Sequence, residues 1–483
     1  MAEPHELTAL EQWQALQSDE LSPSELTEHY LGRIETRNAA LGAFVTVTAE
    51  RARLRARFVE QSVPRTAPLW GLPFADKDLQ LRAGVPAKFG SRLMRDFVPE
   101  ESDDLVIALD EAGGVSLGKT STPEFGLPSY TEGLAGPPAR NPWNLQRGAG
   151  GSSGGAAAAV SARLLPFAPG SDGGGSVRIP AAACGLVGVK PSRGLVPAAS
   201  GIDKLAGLPV AGPLARTVAD AALLLDAMVR PTGNRPDHHF ALRAPGNDGP
   251  LLTHAIHGEG RFQLGVMTTS AWDNDYDIEL APEALMALDA ARRELDLLGH
   301  GMDSLALDPD PSYVPAFRTI WQAGAASIPA EGAEQEELLD PLTRWLMHRG
   351  RALSARDLAE ALAALSAFER SFNRQLSLFD AVLTPAMALT PRPVGWYDAE
   401  DGEKNFAQQV QYTPFTSMVN VSGLPAIVLP VAETVDGLPM GVQLIGRPGG
   451  EATLFALGAQ LERRFRWQDR VPPEPGFAVN DTE

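Results

Sequence analysis

Apolar positions recur along this chain in two rhythms, the spacing of a helix face and the short runs of buried strands. Leu26, Tyr30 and Ile34 share one helical face behind Ser22-Pro23-Ser24-Glu25, a capping box with proline in the first turn. Residues 1–60 therefore read as an N-terminal helical region. A run through Leu72, Pro73 and Phe74 to Lys77 predicts a strand. Ser102 is expected to cap a helix that turns Leu105 and Leu109 inward and stops at Gly113 and Gly114. Val115, Ser116 and Leu117 then predict another strand. Between 120 and 155, glycine and proline break every period, which predicts loop. Further helices are predicted at 156–162, 282–298 and 354–378, and buried strands at 264–267, 381–383, 426–429 and 442–445.

Helices alternating with short apolar strands predict an α/β protein with a large mixed, mostly buried β-sheet. No internal repeat or low-complexity linker divides the chain, so one domain over 1–483 is expected, with 230–375 able to form a helical subdomain.

Composition narrows the class. Hydrophobic residues at 44% and charged residues at 21% are the balance of a globular protein. A formal charge of −19 repels phosphate backbones, which predicts no nucleic-acid partner. The lone cysteine, Cys184, excludes an intrachain disulfide and a multi-cysteine metal site. Set between Ala183 and Gly185, it reads as a buried, inert thiol. No signal-peptide pattern opens the chain and no apolar run could span a bilayer, which predicts a soluble cytoplasmic protein without a membrane partner.

Two short motif matches mislead. Gly113 to Thr120 spells G-x-x-x-x-G-K-T, but a phosphate loop needs a strand before its first glycine and a helix at its lysine. Here a helix precedes and a strand lies inside, so a P-loop nucleotide-binding protein is a weak rival. Gly150 to Gly154 spells G-x-S-x-G, yet a loop rather than a strand runs into it. The histidines at 5, 29, 238, 239, 254, 257, 300 and 348 sit in no motif and read as solvated or packed.

A longer pattern is more specific. Gly150-Gly151-Ser152-Ser153-Gly154-Gly155 opens an alanine-rich helix, and Gly170-Ser171-Asp172-Gly173-Gly174-Gly175-Ser176-Val177-Arg178 follows it. Gly188-Val189-Lys190-Pro191 lies beyond, and Gly71-Leu72-Pro73-Phe74-Ala75-Asp76-Lys77-Asp78 upstream. With Val421 to Ala426 and Gly437 to Gln443 near the end, the pattern resembles the amidase signature family over nearly the whole chain. Ser176 follows Ser152 by 24 residues, the spacing of that family's two catalytic serines. The resemblance implies the family's fold, with helices on both faces of the sheet, and chemistry without a metal or other cofactor. It implies Ser176 as nucleophile, Ser152 as bridging serine, Lys77 as base, and a cis peptide before Ser152.

The residue types suit these roles. A serine hydroxyl is a poor nucleophile until a neighbour takes its proton. Lysine can do so only where burial or another cation lowers its pKa. The backbone N–H groups of Gly173, Gly174, Gly175 and Ser176 are read as an oxyanion hole, one such donor being worth about 3–4 kcal/mol of barrier. Ser153, Asp172 and Arg178 are read as supports, and Gly126 and Leu127 as substrate contacts within pocket walls at 126–143 and 396–414. Asp76 and Asp78 flank Lys77, and strand alternation must turn both away if the amine is to lose its charge. Ser171 and Gly173 stand where the family usually has threonine, and Ala156 where it often has serine, so no catalytic group is lost.

The expected activity is hydrolysis of linear amides through a seryl acyl-enzyme, extending to esters or carbamates, with a small-molecule amide as partner. The rival within the family is the amidase subunit of a tRNA-dependent amidotransferase. A homodimer is common among such relatives.

Overall fold

The computed structural model describes residues 3–196, 205–229 and 250–473. Its N-terminal helix Pro23–Leu41 begins as the capping box dictates: the Ser22 side chain accepts from Glu25 N, and Glu25 reaches back to the Ser22 amide. Gly42, in the left-handed region, ends it, and Leu26, Tyr30 and Ile34 are buried. The later helices Pro282–Leu297 and Ala355–Leu376 also lie where their periods place them, the second capped by Ser354.

Thirteen strands are present among the described residues. They are β1 (Phe44–Val47), β2 (Pro73–Lys77), β3 (Val115–Thr120), β4 (Arg140–Asn141), β5 (Asn144–Gly148), β6 (Phe167–Asp172) and β7 (Val187–Lys190). Then come β8 (Val210–Ala215), β9 (Gln263–Met267), β10 (Gly301–Leu305), β11 (Ala381–Pro385), β12 (Ala426–Glu433) and β13 (Pro439–Gly446). Eight form one mixed sheet in the order β10-β9-β11-β13-β12-β7-β8-β6. A second sheet, β1-β3-β2, packs β2 against β6, and β4 pairs with β5. The helix Arg178–Cys184 packs on β12 and β13, and so do the helices Pro282–Leu297 and Glu451–Phe465. Central strands β11 and β13 are buried at every position, as strands covered on both faces must be.

Two expectations need correction. Ser102 does not cap the helix Asp104–Glu111; Asp103 is the N-cap residue, and Ser102 Oγ accepts from Ala83 N instead. The stretch 120–155 is not loop throughout, because β4 and β5 form a hairpin in it and the helix Gly154–Ser161 begins before 156. Strands β6, β7 and β8 carry proline or glycine within them and gave no strand pattern, since tertiary burial rather than propensity holds them.

Residues 230–249, with His238 and His239, lie outside the described residues. In the rest of 230–375, β9 and β10 belong to the eight-stranded sheet, while the helices Tyr313–Ala326, Pro341–Arg351 and Ala355–Leu376 pack together. Phe317 and Phe368 of those helices share one core with Met267, Val382 and Ile445 of the sheet.

Candidate active site

Strand register decides what surrounds Lys77. In the parallel pair β2–β3, Phe74 lies opposite Ser116, so an unbroken register would set Lys77 opposite Lys119. A bulge intervenes, and Asp76 pairs with Lys119 while Lys77 pairs with Thr120. Gly118 makes this possible: its φ is +152°, and a Cβ there would stand 2.1 Å from the Thr46 carbonyl oxygen of β1. The bulge therefore keeps the two lysines from sharing one face.

Side-chain alternation does the rest. Asp76 turns away from Lys77 to accept from Arg82 Nε at 2.6 Å, Arg82 Nη2 at 3.1 Å and Ser116 Oγ at 2.9 Å. Asp78 takes the Lys88 amide at 3.2 Å. Lys77 is left fully buried, with Nζ 2.8 Å from Ser152 Oγ, 3.0 Å from Ser171 Oγ and 3.3 Å from the Ser171 carbonyl oxygen. Burial pushes its pKa down from 10.5 to about 7, and the Asp172 carboxylate opposes the shift without cancelling it.

Ser152 stands at the N-terminal side of the helix Gly154–Ser161, after a cis Gly151–Ser152 peptide. Thr131 Oγ1 fixes this turn by donating to the Gly150 carbonyl at 2.8 Å and accepting from Gly154 N at 3.2 Å. Ser153 ties it to the second glycine cluster: its amide donates to the Ser176 carbonyl at 3.1 Å and its Oγ to the Ser171 carbonyl at 3.3 Å. The two serine clusters are thereby held side by side.

The segment after β6 wraps around Asp172. Its carboxylate accepts from the amides of Gly175 at 2.8 Å and Val177 at 3.1 Å, and it forms a two-pronged pair with Arg178 at 2.9 and 3.0 Å. Arg178 also donates to Gln443 at 2.7 Å and Asn420 at 2.6 Å, so every member of this buried network has partners. Burial alone would raise the Asp172 pKa, but Arg178, Asn420 and Lys190 together hold it well below the usual carboxylate range. Gly175 must be glycine, because at φ +132° a Cβ would meet Thr416 Oγ1 at 2.5 Å.

Gly175 requires a correction to the oxyanion reading. Its N–H is committed to Asp172, so it shapes the loop rather than pointing at substrate. The amides of Gly173, Gly174 and Ser176 make no hydrogen bond within the described residues, nor does the Ser176 hydroxyl. Ser176 and Gly174 open onto a small cavity of about 60 Å³. Leu127 lines it and Gly126 does not; a Cβ on Gly126 would stand 3.3 Å from Ser152 Oγ. Phe406, Gln409 and Thr413 contribute from the second predicted wall.

Trp272, Phe317 and Trp321 complete the cavity and were not legible as site residues. Tyr313, Phe317 and Trp321 fall every four residues on one helix, a spacing that reads as ordinary core. Ser171, the other anchor of Lys77, was visible only as a small residue where threonine is usual.

Other chemistry in the chain lies elsewhere. Lys119 is a buried residue of β3 whose Nζ donates to the Gln80 carbonyl, behind the helix Asp104–Glu111, so the phosphate-loop geometry is missing. Cys184 is buried, and burial raises its thiol pKa. Glu3, His5 and His29 offer ligand atoms within 4.8 Å of one another, but Arg33 and Arg163 make that corner electropositive and poor for a cation. His300 accepts from the Phe262 amide at 3.1 Å, and His348 pairs with Glu336 at 3.1 Å. No helix among the described residues is long and apolar enough to cross a membrane.

A mixed α/β sheet that converges on a buried amine and paired serine clusters is the framework of an amidohydrolase, an enzyme of carbon–nitrogen bonds outside peptides. Residues 25–455 match the family model described as Amidase. The chain belongs to the amidase signature family. It is 36% identical over 461 residues to AmiB2 of Mycobacterium tuberculosis, a protein assigned as an amidase, covering 94% of this chain and 95% of that one. It is 32% identical over 498 residues to a glutamyl-tRNA(Gln) amidotransferase subunit from Nitrosococcus oceani, covering 97% and 99%. The solved structure of 6-aminohexanoate cyclic dimer hydrolase superposes with a TM-score of 0.89 at 30% identity, over 99% of this chain and all of that one.

Proposed function

We propose that this amidase hydrolyses linear amides through an acyl-enzyme on Ser176, with Ser152 as proton relay and Lys77 as base. The contact of Lys77 Nζ with Ser152 Oγ at 2.8 Å carries this reading. A neutral amine bears two hydrogens and one lone pair. The Ser171 carbonyl can only accept, and if Ser171 Oγ accepts the second hydrogen the lone pair is left for the Ser152 hydroxyl. Ser176 Oγ attacks the carbonyl carbon and passes its proton to Ser152, whose own proton goes to Lys77. The path reverses to protonate the leaving amine, and water then repeats it to release the acid. No hydrogen bond joins Ser176 Oγ to Ser152 Oγ among the described residues, and catalytic contacts of this kind tighten in the substrate complex.

The developing oxyanion is assigned to the amides of Gly173, Gly174 and Ser176, with Gly175, Asp172 and Arg178 holding the loop. Esters and carbamates fit the same machinery. All three catalytic side chains come from one chain, so the chemistry needs no second copy. The single cysteine supports the reducing cytoplasm as its compartment.

The test is covalent. A small alkyl fluorophosphonate followed by digestion and mass spectrometry is expected to leave one adduct, on the peptide carrying Ser176. S176A should give none, and an adduct on Ser152 in the wild type would reverse the two roles.

A second reading, ammonia release from glutamine for a tRNA-dependent partner, draws on the relatives named as glutamyl-tRNA(Gln) amidotransferase subunits. The cavity beside Ser176 bears directly on it.

A further inference from the structure

The cavity beside Ser176 is lined mostly by apolar surface, and none of its lining residues is charged. Apart from the hydroxyls of Ser176 and Ser129, its polar side chains are engaged within the protein. Gln409 accepts from Ser129 N at 2.8 Å through Oε1 and donates to Asn405 at 2.7 Å through Nε2. Ser417 Oγ lies between Trp272 Nε1 at 3.0 Å and the Tyr313 hydroxyl at 2.8 Å. Thr413 Oγ1 donates to the Gln409 carbonyl at 3.0 Å. A nearby cation, Arg318, is stacked on the Phe406 ring and paired with Glu403 at 2.5 Å.

The aromatic wall stands against the loop assigned to the oxyanion. A Cβ on Gly174 would lie 3.6 Å from Trp321 Cη2 and 3.8 Å from Phe317 Cζ, ordinary van der Waals contact. Phe317 and Trp321 are stacked at 5.5 Å between ring centres, and Trp272 meets Phe317 edge-on at 5.3 Å. A carbonyl held by the Gly173 and Gly174 amides would carry its nearest substituent along this stack. A planar ring gains contact area there at little cost in side-chain entropy. A carboxylate or ammonium would lose its water and meet no opposite charge, since no lining side chain is ionisable as a cation or carboxylate and at most a neutral hydroxyl could face it.

From this geometry we infer that the enzyme is specific for uncharged amides bearing an aromatic group next to the scissile carbonyl, and that it rejects charged amides, free glutamine included. The inference rests on the reading of Ser176 as nucleophile. It separates this chain from relatives that release ammonia from glutamine, because a zwitterion finds neither a cation nor an anion on these walls.

The test compares kcat/KM for phenylacetamide, its para-carboxylate, its para-aminomethyl derivative and glutamine. The neutral amide should exceed each charged one by about 100-fold or more. Comparable turnover of any charged member overturns the inference. Trp321→Ala and Trp321→Phe, each checked by thermal melting, serve as the second arm. W321A should narrow the ratio of phenylacetamide to acetamide by about 10-fold, and W321F should restore most of it. An unchanged ratio in a folded W321A overturns the placement of the ring. Fluorophosphonate labelling run alongside distinguishes the failures: labelled Ser176 with charged substrates preferred refutes the pocket reading alone, and unlabelled Ser176 refutes the catalytic reading beneath it.

Discussion

Lys77 and Lys119 sit near the ends of adjacent strands, both buried and both with pKa values lowered by burial, yet their surroundings differ in kind. On the Lys119 face are Asp76, Asp78 and Arg82, and the two carboxylates resist its loss of charge. Asp76 is further tied to Arg82, which reaches Asp110 at 2.8 Å. On the Lys77 face the partners are hydroxyls and a carbonyl, and the one carboxylate acting on it, Asp172, is paired with Arg178. Hydroxyls can exchange protons with an amine near neutrality, whereas a cage of carboxylates fixes an ammonium as structure. A one-residue bulge at Gly118 assigns each lysine to its face. Burial makes an amine available as a base only where the neighbouring groups leave its charge uncompensated.

The largest test of this contrast exchanges each lysine for methionine, of similar length. K77M should lower kcat/KM by about 1,000-fold or more, the scale of a lost general base. Its melting temperature should hold or rise, since Lys77 is buried at a cost in charge. The sign follows from the depressed pKa. The unfolded chain keeps this proton between about 7 and 10.5 while the folded chain has released it, so the cost is full below about pH 7 and vanishes above 10.5. Any gain in K77M is therefore greatest at pH 6 and fades towards pH 10. K119M should do the reverse, losing about 3 kcal/mol of stability because it strips a cation from a buried carboxylate network. Turnover per folded molecule should stay within about 10-fold of wild type. Denaturant melts and kinetics on the same preparations decide it, and equal loss of activity in both variants would erase the distinction.

The sequence showed one face of this contrast better than the other. Ser152, Ser176 and Lys77 stood out because they sit at fixed places in a long glycine-serine pattern, and glycine clusters announce backbone that must approach something closely. The helices with caps at Ser22 and Ser354 were legible for the same local reason. Lys119 invited a phosphate-loop reading, because a motif carries no register and the bulge that turns Lys119 onto Asp76 appears only once β2 and β3 are paired. The commitment of the Gly175 amide to Asp172 was equally hidden, since four successive N–H groups look equivalent until the chain turns. Trp272, Phe317 and Trp321 come from segments far along the chain from the serines, and nothing local separates a pocket aromatic from a core one.

A smaller effect is read from pH. With its pKa lowered to about 7, Lys77 is neutral above that point and charged below it. The value of kcat/KM should level off above pH 8 and fall about 10-fold per unit below pH 6, with one proton lost in the transition. The profile for a neutral amide is the one to record, so that no substrate ionisation enters. A flat profile between pH 5 and 8 would mean that the amine does not act as base in this range.

The smallest effect isolates orientation from basicity. Ser171 Oγ at 3.0 Å and the Ser171 carbonyl at 3.3 Å are placed to accept two hydrogens of the neutral amine, which aims its lone pair at Ser152. Ser171→Ala removes one acceptor and leaves the amine free to rotate, at a cost of about 10-fold in kcat, the value of one hydrogen bond. KM for an aryl amide should barely move, because Ser171 is not part of the cavity wall. Ser171→Thr restores the hydroxyl and should restore kcat with it. If S171A instead raised KM and spared kcat, Ser171 would be acting on substrate binding. The difference between the two lysines would then lie in charge alone, without the directed lone pair.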